Sequence, residues 1–590
     1  MCGKSSAQFE GFNPDQQAYL ANLLAQLDLQ ALFVPPADAA GPQPVTVHGT
    51  PFEDLCKEEV AKHETHPWEL WPQLRAHAEA GRMPEGIDTF MFKHHGMFNV
   101  APAQPGFMCR LRVPACKLRG DQLMQLGDLA EHLAGGYAHL TTRGNLQVRE
   151  ISPANMVAVL EGLADIGLTS KGSGADSVRN ITCSPSAGFD PEELIDLSGH
   201  AVTLHHHILN TPDLHGIPRK FNISFDNGGR LSCVSDTNDI ALLATEVTEE
   251  TDGLSPGVYC RLLLGGITGH LDFARDTGVV LRSEHTVDAC IAMLQVFVEH
   301  GDRTNRKKAR LKYVLDQHGF DWYLERSQEK LTAINPEARF HRVPESVCTP
   351  RKPIDRQGHI GVQPQSQEGL RSIGVNLPVG KLKPEQMRGL GRLAMEFGRN
   401  DLRLTVWQNI MIPWIAEADV DAVVRAIHDL GLTTEASSFA AGAVACTGKF
   451  GCKYASAHTK SHAAVVVEHL ETKFDLDTPI NLHLTGCPHS CAQHYIGDIG
   501  LLGASTADGR EAYQVYLGGG SDLEQGLARH LVGPVPADEL PAFLEHVIQT
   551  YLDQRESDPV TDEPERFVQF TRRHSEDELR TLMLPTPAAV

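Results

Sequence analysis

Long apolar runs are missing from this chain of 590 residues. No stretch approaches the roughly 18 consecutive apolar residues that a membrane span needs, so none is expected. The opening residues MCGKSSAQFEGF hold no apolar core for a secretory signal, and Glu10, Asp15 and Asp28 fall where an organelle transit peptide is poor in acids. A cytoplasmic protein is the expectation. Basic charge is also short: 52 Lys and Arg stand against 75 Asp and Glu, a formal net charge of −23. That balance excludes nucleic acid as a partner, because phosphate binding needs a dominant basic surface, and it obliges any anionic substrate to find a local basic pocket. No G-x-G-x-x-G follows a strand, so no dinucleotide site is expected. The 13 cysteines are an odd number in a chain without a secretion signal, which speaks against a disulfide framework and for metal binding or plain burial.

What is present is ample for several cores. The apolar share is 41%, and single cores rarely grow past roughly 250 to 300 residues, so two or three domains are expected. Tyr19, Leu20, Leu23, Leu24 and Leu27 form an amphipathic helical pattern, followed by the linker-like PPADAAGPQPV. Beyond it lies a long internal repeat. Leu118 and Gln122 recur 264 residues on as Leu382 and Gln386, and the same offset relates Leu126-Gly127 to Leu390-Gly391, Asn145 to Asn409, and Gly167-Leu168-Thr169 to Gly431-Leu432-Thr433. Each copy reads as a strand (CRLRVP; IGVNLP), a helix from about Asp121 or Glu385, a strand (HLTTRGNLQVREI; LRLTVWQNIMIPWI) and a second helix ending near Gly167 or Gly431. The copies diverge where Thr142-Arg143-Gly144 becomes Val406-Trp407-Gln408, and where Arg179 to Thr182 becomes Ala443 to Cys446. One copy carries cations and the other sulfur ligands, as a site lined unequally by two copies would require.

The sulfur ligands come in two close pairs, Cys446 and Cys452 in ACTGKFGC and Cys487 and Cys491 in TGCPHSC. Thiolates suit zinc, copper(I) or iron–sulfur clusters. Structural zinc usually takes C-x₂₋₄-C, so the wider first gap favours a cluster gripped from two loops, with zinc and simple burial as the alternatives.

From about Gly96 to about Gly519, and most specifically in VACTGKFGC and HLTGCPHSCAQHYIGDIGLLG, the chain resembles the siroheme-containing nitrite and sulfite reductases. The resemblance implies an α+β, internally duplicated fold of two ferredoxin-like half-domains plus two siroheme- and cluster-binding α/β domains. It places an N-terminal helical region and linker arm at 1–90, the first half at 91–170, a siroheme and substrate domain at 171–345, the second half at 346–434, a cluster domain at 435–555 and a helical tail at 556–590. By the same resemblance Cys446, Cys452, Cys487 and Cys491 hold a [4Fe-4S] cluster, Cys491 also bridging to the siroheme iron. His489 stands where the family usually has Asn.

Siroheme carboxylates and an anionic substrate both call for Arg and Lys. TNRKKARLK, read as a helical run, resembles the family's cofactor-carboxylate segment and offers Arg306, Lys308 and Arg310; a solvated helix face is the bland alternative. Arg143 and the pair Gln408-Asn409 resemble siroheme-contacting strands, although Gly144 stands where the family often has Gln. Arg110, Arg179, Lys220 and Asn222 fall on the family's substrate positions, and strand alternation aims Lys220 and Asn222 the same way. A second Lys at the position of Asn222 is usual in sulfite reductases, so Asn222 favours assimilatory nitrite reduction to ammonia, with sulfite reduction as the alternative. A siroheme-fold oxygenase of corrin biosynthesis and a zinc-stapled or electron-relay protein are more distant readings. Electrons must come from outside, by resemblance from ferredoxin, with Lys449, Lys453 and Lys460 as docking candidates and a flavodoxin as another possible donor. A monomer is expected. LHHHIL reads as a helix turn rather than a metal site, and ERFVQFTRRHSEDELRTLML as a helical packing or docking appendage.

Overall fold

The computed structural model describes residues 45–558 and 561–584. The helical pattern around Tyr19 to Leu27 and most of the linker lie outside them. Two compact units divide the chain, 1–53 and 54–590. In the first, Thr46–Val47 pairs with Thr50–Pro51 in a short antiparallel ladder. The larger unit begins at Asp54. Glu59 and Lys62, on the helix Lys57–Glu64, are buried in ion pairs with Arg303 and Asp176, which makes this helix part of the larger unit. Among the described residues no helix is long and apolar enough to cross a membrane.

In each duplicated half the long second strand of the expected strand–helix–strand–helix is a hairpin, and short further strands flank the pattern. In the first copy Ala138–Thr141 turns into Asn145–Ile151, and in the second Asp401–Leu404 turns into Ile410–Ala416. Each turn is tied to the threonine that opens it, by the residue two on in the first copy and four on in the second. The Thr141 hydroxyl accepts from Arg143 N–H at 3.3 Å, and the Thr405 hydroxyl accepts from Asn409 N–H at 3.0 Å. Gly144 and Gln408, one offset apart, both have positive φ (51° and 62°). Such local side-chain bonds offer the backbone a turn in place of a continuous strand. The offset of 264 carries the helices Gly120–Leu133 and Met156–Asp165 onto Pro384–Phe397 and Val420–Asp429 end for end.

Each copy lends the other a strand. Lys117–Arg119 pairs with Asp401–Leu404, and Lys381–Leu382 pairs with Ala138–Thr141, completing two five-stranded sheets. The helices Gly120–Leu133 and Pro384–Phe397 meet through glycine: a Cβ on Gly120 would lie 2.4 Å from the carbonyl oxygen of Gly391, and one on Gly391 2.5 Å from that of Gly120. One apolar core, including Leu118, Leu126, Leu382 and Leu390, spans both copies.

Two further sheets follow a common plan. Thr182–Cys183, Ile223–Asp226 and Ile240–Val247 run parallel, and antiparallel strands then extend the sheet to six. Ala443–Ala445, Leu482–Thr485 and Ile499–Ser505 likewise run parallel before two antiparallel strands. The C-terminal helices Phe567–Arg573 and Glu576–Met583 bury Phe570 and Met583 in the core of this last sheet.

Candidate active site

Cys446 follows Ala443–Ala445 directly and Cys487 follows Leu482–Thr485 after one glycine, so both cysteine loops leave the carboxyl ends of neighbouring parallel strands. All four cysteines line one cavity of about 860 Å³. Gly486 N–H donates to Cys446 Sγ at 3.2 Å, and His489 Nδ1 lies 3.5 Å from Cys487 Sγ. Burial and the other three thiols push Cys487 up to about 11, and burial with the Cys491 thiol raises Cys446. Thiols held together in this way release their protons on binding a metal group. Among the described residues no three His, Cys, Asp or Glu side chains converge as a single ion would need. The quartet lines one side-chain cavity together.

The halves hold these loops in place. Gln408 accepts from Ala445 N–H at 3.0 Å and donates to the carbonyls of Ala445 and Leu140, both at 3.1 Å, locking the strand before Cys446 to the first copy. From the other hairpin turn the Thr142 hydroxyl donates to the Cys491 carbonyl at 3.1 Å. Arg149 donates to the Gly451 carbonyl at 2.5 Å, just before Cys452.

The remaining wall is cationic. Seven arginines and five lysines line the cavity, and no Asp or Glu does. Their counter-charges sit behind them. Asp176, fully buried, takes both Arg306 Nη atoms at 2.5 and 2.8 Å, Lys62 at 3.3 Å and Arg219 at 3.4 Å. Arg310 is paired in the same two-pronged way with Asp239, at 3.0 and 2.6 Å. Arg143 donates to Asn238 Oδ1 at 2.8 Å, and burial beside Arg310 lowers it to about 10. With its amide oxygen turned to them, Asn222 accepts from Arg143 at 3.1 Å and Arg310 at 3.2 Å. Arg110 lies 4.7 Å over the Phe98 ring, while Arg179 donates to the carbonyls of Ser173 and Ala175. Burial, then Arg310, Arg179 and Arg219, hold the Lys220 ammonium well below the ordinary lysine range.

Arg110, Arg143, Arg179, Lys220, Asn222, Arg306, Arg310, Gln408 and the four cysteines thus share one cavity. Lys308 and Asn409 do not line it. Residues 303–310 form turns rather than a helix, which starts at Leu311, because Asp302 Oδ1 accepts from Thr304 and Asn305 N–H and Asn305 Oδ1 from Lys307 N–H. In this conformation Lys307, not Lys308, reaches the cavity. Asn409 spends its amide on Leu377 N–H and the Ala441 carbonyl. Lys460 donates to the Val379 carbonyl and lines the cavity, so it is no surface docking lysine. Lys220 and Asn222 flank Phe221, whose single parallel bridge to Val178 precedes the strand Ile223–Asp226.

Sequence reasoning missed Lys93, Arg149, Arg219 and Gln147, which also line the cavity. Asn145, Gln147 and Arg149 alternate on one strand, and that period of two was the available signal. The three histidines of LHHHIL lie on the helix Ser198–Asn210, with His205 accepting from Arg112 at 3.1 Å.

The pattern described as the nitrite and sulphite reductase 4Fe-4S domain matches residues 174–334 and 441–585, and that of the nitrite/sulfite reductase ferredoxin-like half domain matches 101–166 and 363–430. The chain is 32% identical to the chloroplastic ferredoxin–nitrite reductase of Zea mays over 78% of its own length and 82% of the relative's. It is 31% identical to the ferredoxin–nitrite reductase of Synechococcus elongatus, over 84% of its length and 96% of the other's. A ferredoxin-dependent sulfite reductase of Mycolicibacterium paratuberculosis is 30% identical over 80% of this chain and 83% of its own. Among solved structures, the Mycobacterium tuberculosis NirA protein superposes with a TM-score of 0.78 at 26% identity, over 89% of this chain and 98% of that one.

Proposed function

The chain belongs to the nitrite and sulphite reductase family, and on that premise we propose that it reduces nitrite to ammonia in nitrogen assimilation, taking its electrons from ferredoxin. It is an oxidoreductase whose cofactors are a siroheme and a [4Fe-4S] cluster. The observation that carries the reading is the cavity itself, four thiols facing a dozen cations with no carboxylate among the lining residues.

Cys446, Cys452, Cys487 and Cys491 are the residues for the cluster. Arg143, Arg306 and Arg310, with Lys307 in the place expected of Lys308, suit the siroheme carboxylates, since a guanidinium fork matches a carboxylate in two bonds. Asp176 and Asp239 hold two of those forks from behind, so the arginines are oriented before any cofactor arrives. When bound, the two groups supply electrons to the substrate.

The chain's own part is to bind the anion and deliver protons. Arg110, Arg179 and Lys220, all lining the cavity, offer it their cationic donors. In a water-poor space such donors are worth far more than in bulk, and they polarise the N–O bond. The depressed ammonium of Lys220 gives up its Nζ proton to departing oxygen more readily than an ordinary lysine, and oxygen leaves as water.

Preference for nitrite over sulfite rests on Asn222. Its oxygen neutralises no charge but accepts from two guanidiniums, whereas a lysine there would set a third cation against Arg143 and Arg310. Sulfite reduction is the second reading, favoured by the relative named for it. The experiment is a visible spectrum of the purified protein, followed by nitrite and sulfite turnover with reduced viologen. The spectrum is expected to show siroheme coupled to a cluster, and nitrite to turn over faster. Asn222→Lys should move the turnover ratio about tenfold toward sulfite; an unmoved ratio removes the basis of the preference, and a colourless zinc protein removes the whole reading.

A further inference from the structure

The second cysteine loop turns back on its own ligand. Ser490 N–H donates to the Cys487 carbonyl at 3.2 Å and closes a turn with Pro488 in its second position and His489 in its third. A fixed proline φ favours that placing. The turn returns the His489 ring toward Cys487, with Nδ1 3.5 Å from Sγ, and the His489 backbone N–H bonds the same sulfur. From the first cysteine loop Tyr454 meets the His489 ring edge-on, at 5.2 Å between centroids and 81° between planes, and both side chains line the cavity.

The ring nitrogen and the sulfur are a donor–acceptor pair whose direction depends on what the sulfur binds. A free thiol can give its hydrogen to Nδ1. A cysteine that holds a metal group has released that proton, and the hydrogen between the two atoms then has to come from Nδ1. The hydroxyl near Cys446 is differently engaged: Thr459 Oγ1 lies 3.6 Å from the Cys446 sulfur but donates to the Cys446 carbonyl at 2.6 Å, so its one hydrogen is spent on the backbone.

Resting on the function proposed above, we infer that His489 tunes the cluster: with the cluster in place its Nδ1–H bonds the Cys487 sulfur and raises the potential at which an electron is accepted. One-electron reduction adds a negative charge shared by the sulfurs, and a hydrogen bond to a ligand sulfur stabilises the reduced form more than the oxidised one. No covalent bond changes in that step and no proton moves. Tyr454 is a positioning residue, holding the imidazole at the angle the bond needs. Asn at 489 would place an N–H one bond beyond Cγ, as the imidazole does, so it is the substitution that keeps the donor. Phe keeps a ring for Tyr454 and removes the donor.

The test is the midpoint potential of the cluster in the loaded protein, read by redox titration with electron paramagnetic resonance detection, with iron and acid-labile sulfide measured on every sample. His489→Phe is expected to make reduction about tenfold less favourable, a fall of about 59 mV for one electron. His489→Asn should stay within about twofold of the parent in the same equilibrium, and Tyr454→Leu should fall in the direction of His489→Phe by a smaller step. An unchanged or raised potential in a fully loaded His489→Phe overturns the inference and leaves the reductase reading standing. A His489→Asn potential as low as that of His489→Phe overturns it also, since packing and not the donor would then set the value. Should His489→Phe fail to keep its iron, Tyr454→Leu carries the test, and a potential equal to the parent's overturns the inference. A parent without iron removes the reductase reading and this inference together.

Discussion

The sulfur wall of the cavity and the part of its cationic wall around Arg179 and Lys220 rise from sheets of one plan, three parallel strands extended by antiparallel ones, yet they carry opposite chemistry. The sulfur wall starts its two loops at strand ends, with Cys446 and Cys487 first in each, and bonds to the loop backbone and sulfur fix them: Gly486 on Cys446, Gln408 on Ala445, Thr142 on Cys491. The cationic wall places long side chains on turns and extended segments, and fixes them with buried carboxylates set behind, Asp176 and Asp239. A short ligand is positioned by its backbone. A long one is positioned by the partner at its far end.

This contrast can be broken from either side. Cys487→Ala removes a thiol from the sulfur wall and should abolish cluster retention, dropping nitrite turnover on the order of a thousandfold or more; iron and acid-labile sulfide analysis checks it, and full cluster content in the variant would contradict the assignment. On the cationic wall, Lys220→Met should keep both cofactors and the visible spectrum while lowering turnover roughly 10²- to 10³-fold. Turnover near the parent's would take the proton-donor role from Lys220. Gln408→Ala leaves every ligand in place but deletes three buried hydrogen bonds, about 1 to 3 kcal/mol of stability. A lower melting temperature with partial loss of cluster is expected, read by thermal unfolding and the iron-to-protein ratio.

The smallest effect belongs to the seam between the walls. Asp522 N–H donates to Asp236 Oδ2 at 2.8 Å, and burial and the Asp522 carboxylate push Asp236 up to about 7. A carboxyl raised in the fold destabilises it progressively from the unfolded value of about 3.9 up to about 7, and the full penalty holds above that. Asp236→Asn should therefore gain melting temperature over the parent at pH 8 and not at pH 4. An equal difference at both would break the linkage.

How much of this was legible follows the same contrast. The cysteines could be read because a thiolate ligand needs a particular residue at a particular loop position, and the repeat because its offset holds over both helices. The cations could be read only as patches. Asp302 and Asn305 turned the chain so that Lys307 faced the cavity in place of Lys308, and nothing in the spacing of Lys93 reveals that it returns to this site. The hairpins were hidden because Thr-Arg-Gly-Asn and Val-Trp-Gln-Asn interrupt strand-forming residues without the usual turn pairs. Asn145, Gln147 and Arg149 were readable by alternation.

The lending of strands between the copies sets a limit on how this protein can be divided. Severed between residues 166 and 363, the first piece would keep Lys117–Arg119 with no sheet to receive it and would show an unclaimed edge along Ala138–Thr141. Bare edges invite pairing with other chains. A lone half would find its complement in another molecule, so the smallest self-sufficient version of this scaffold contains two copies, joined or not.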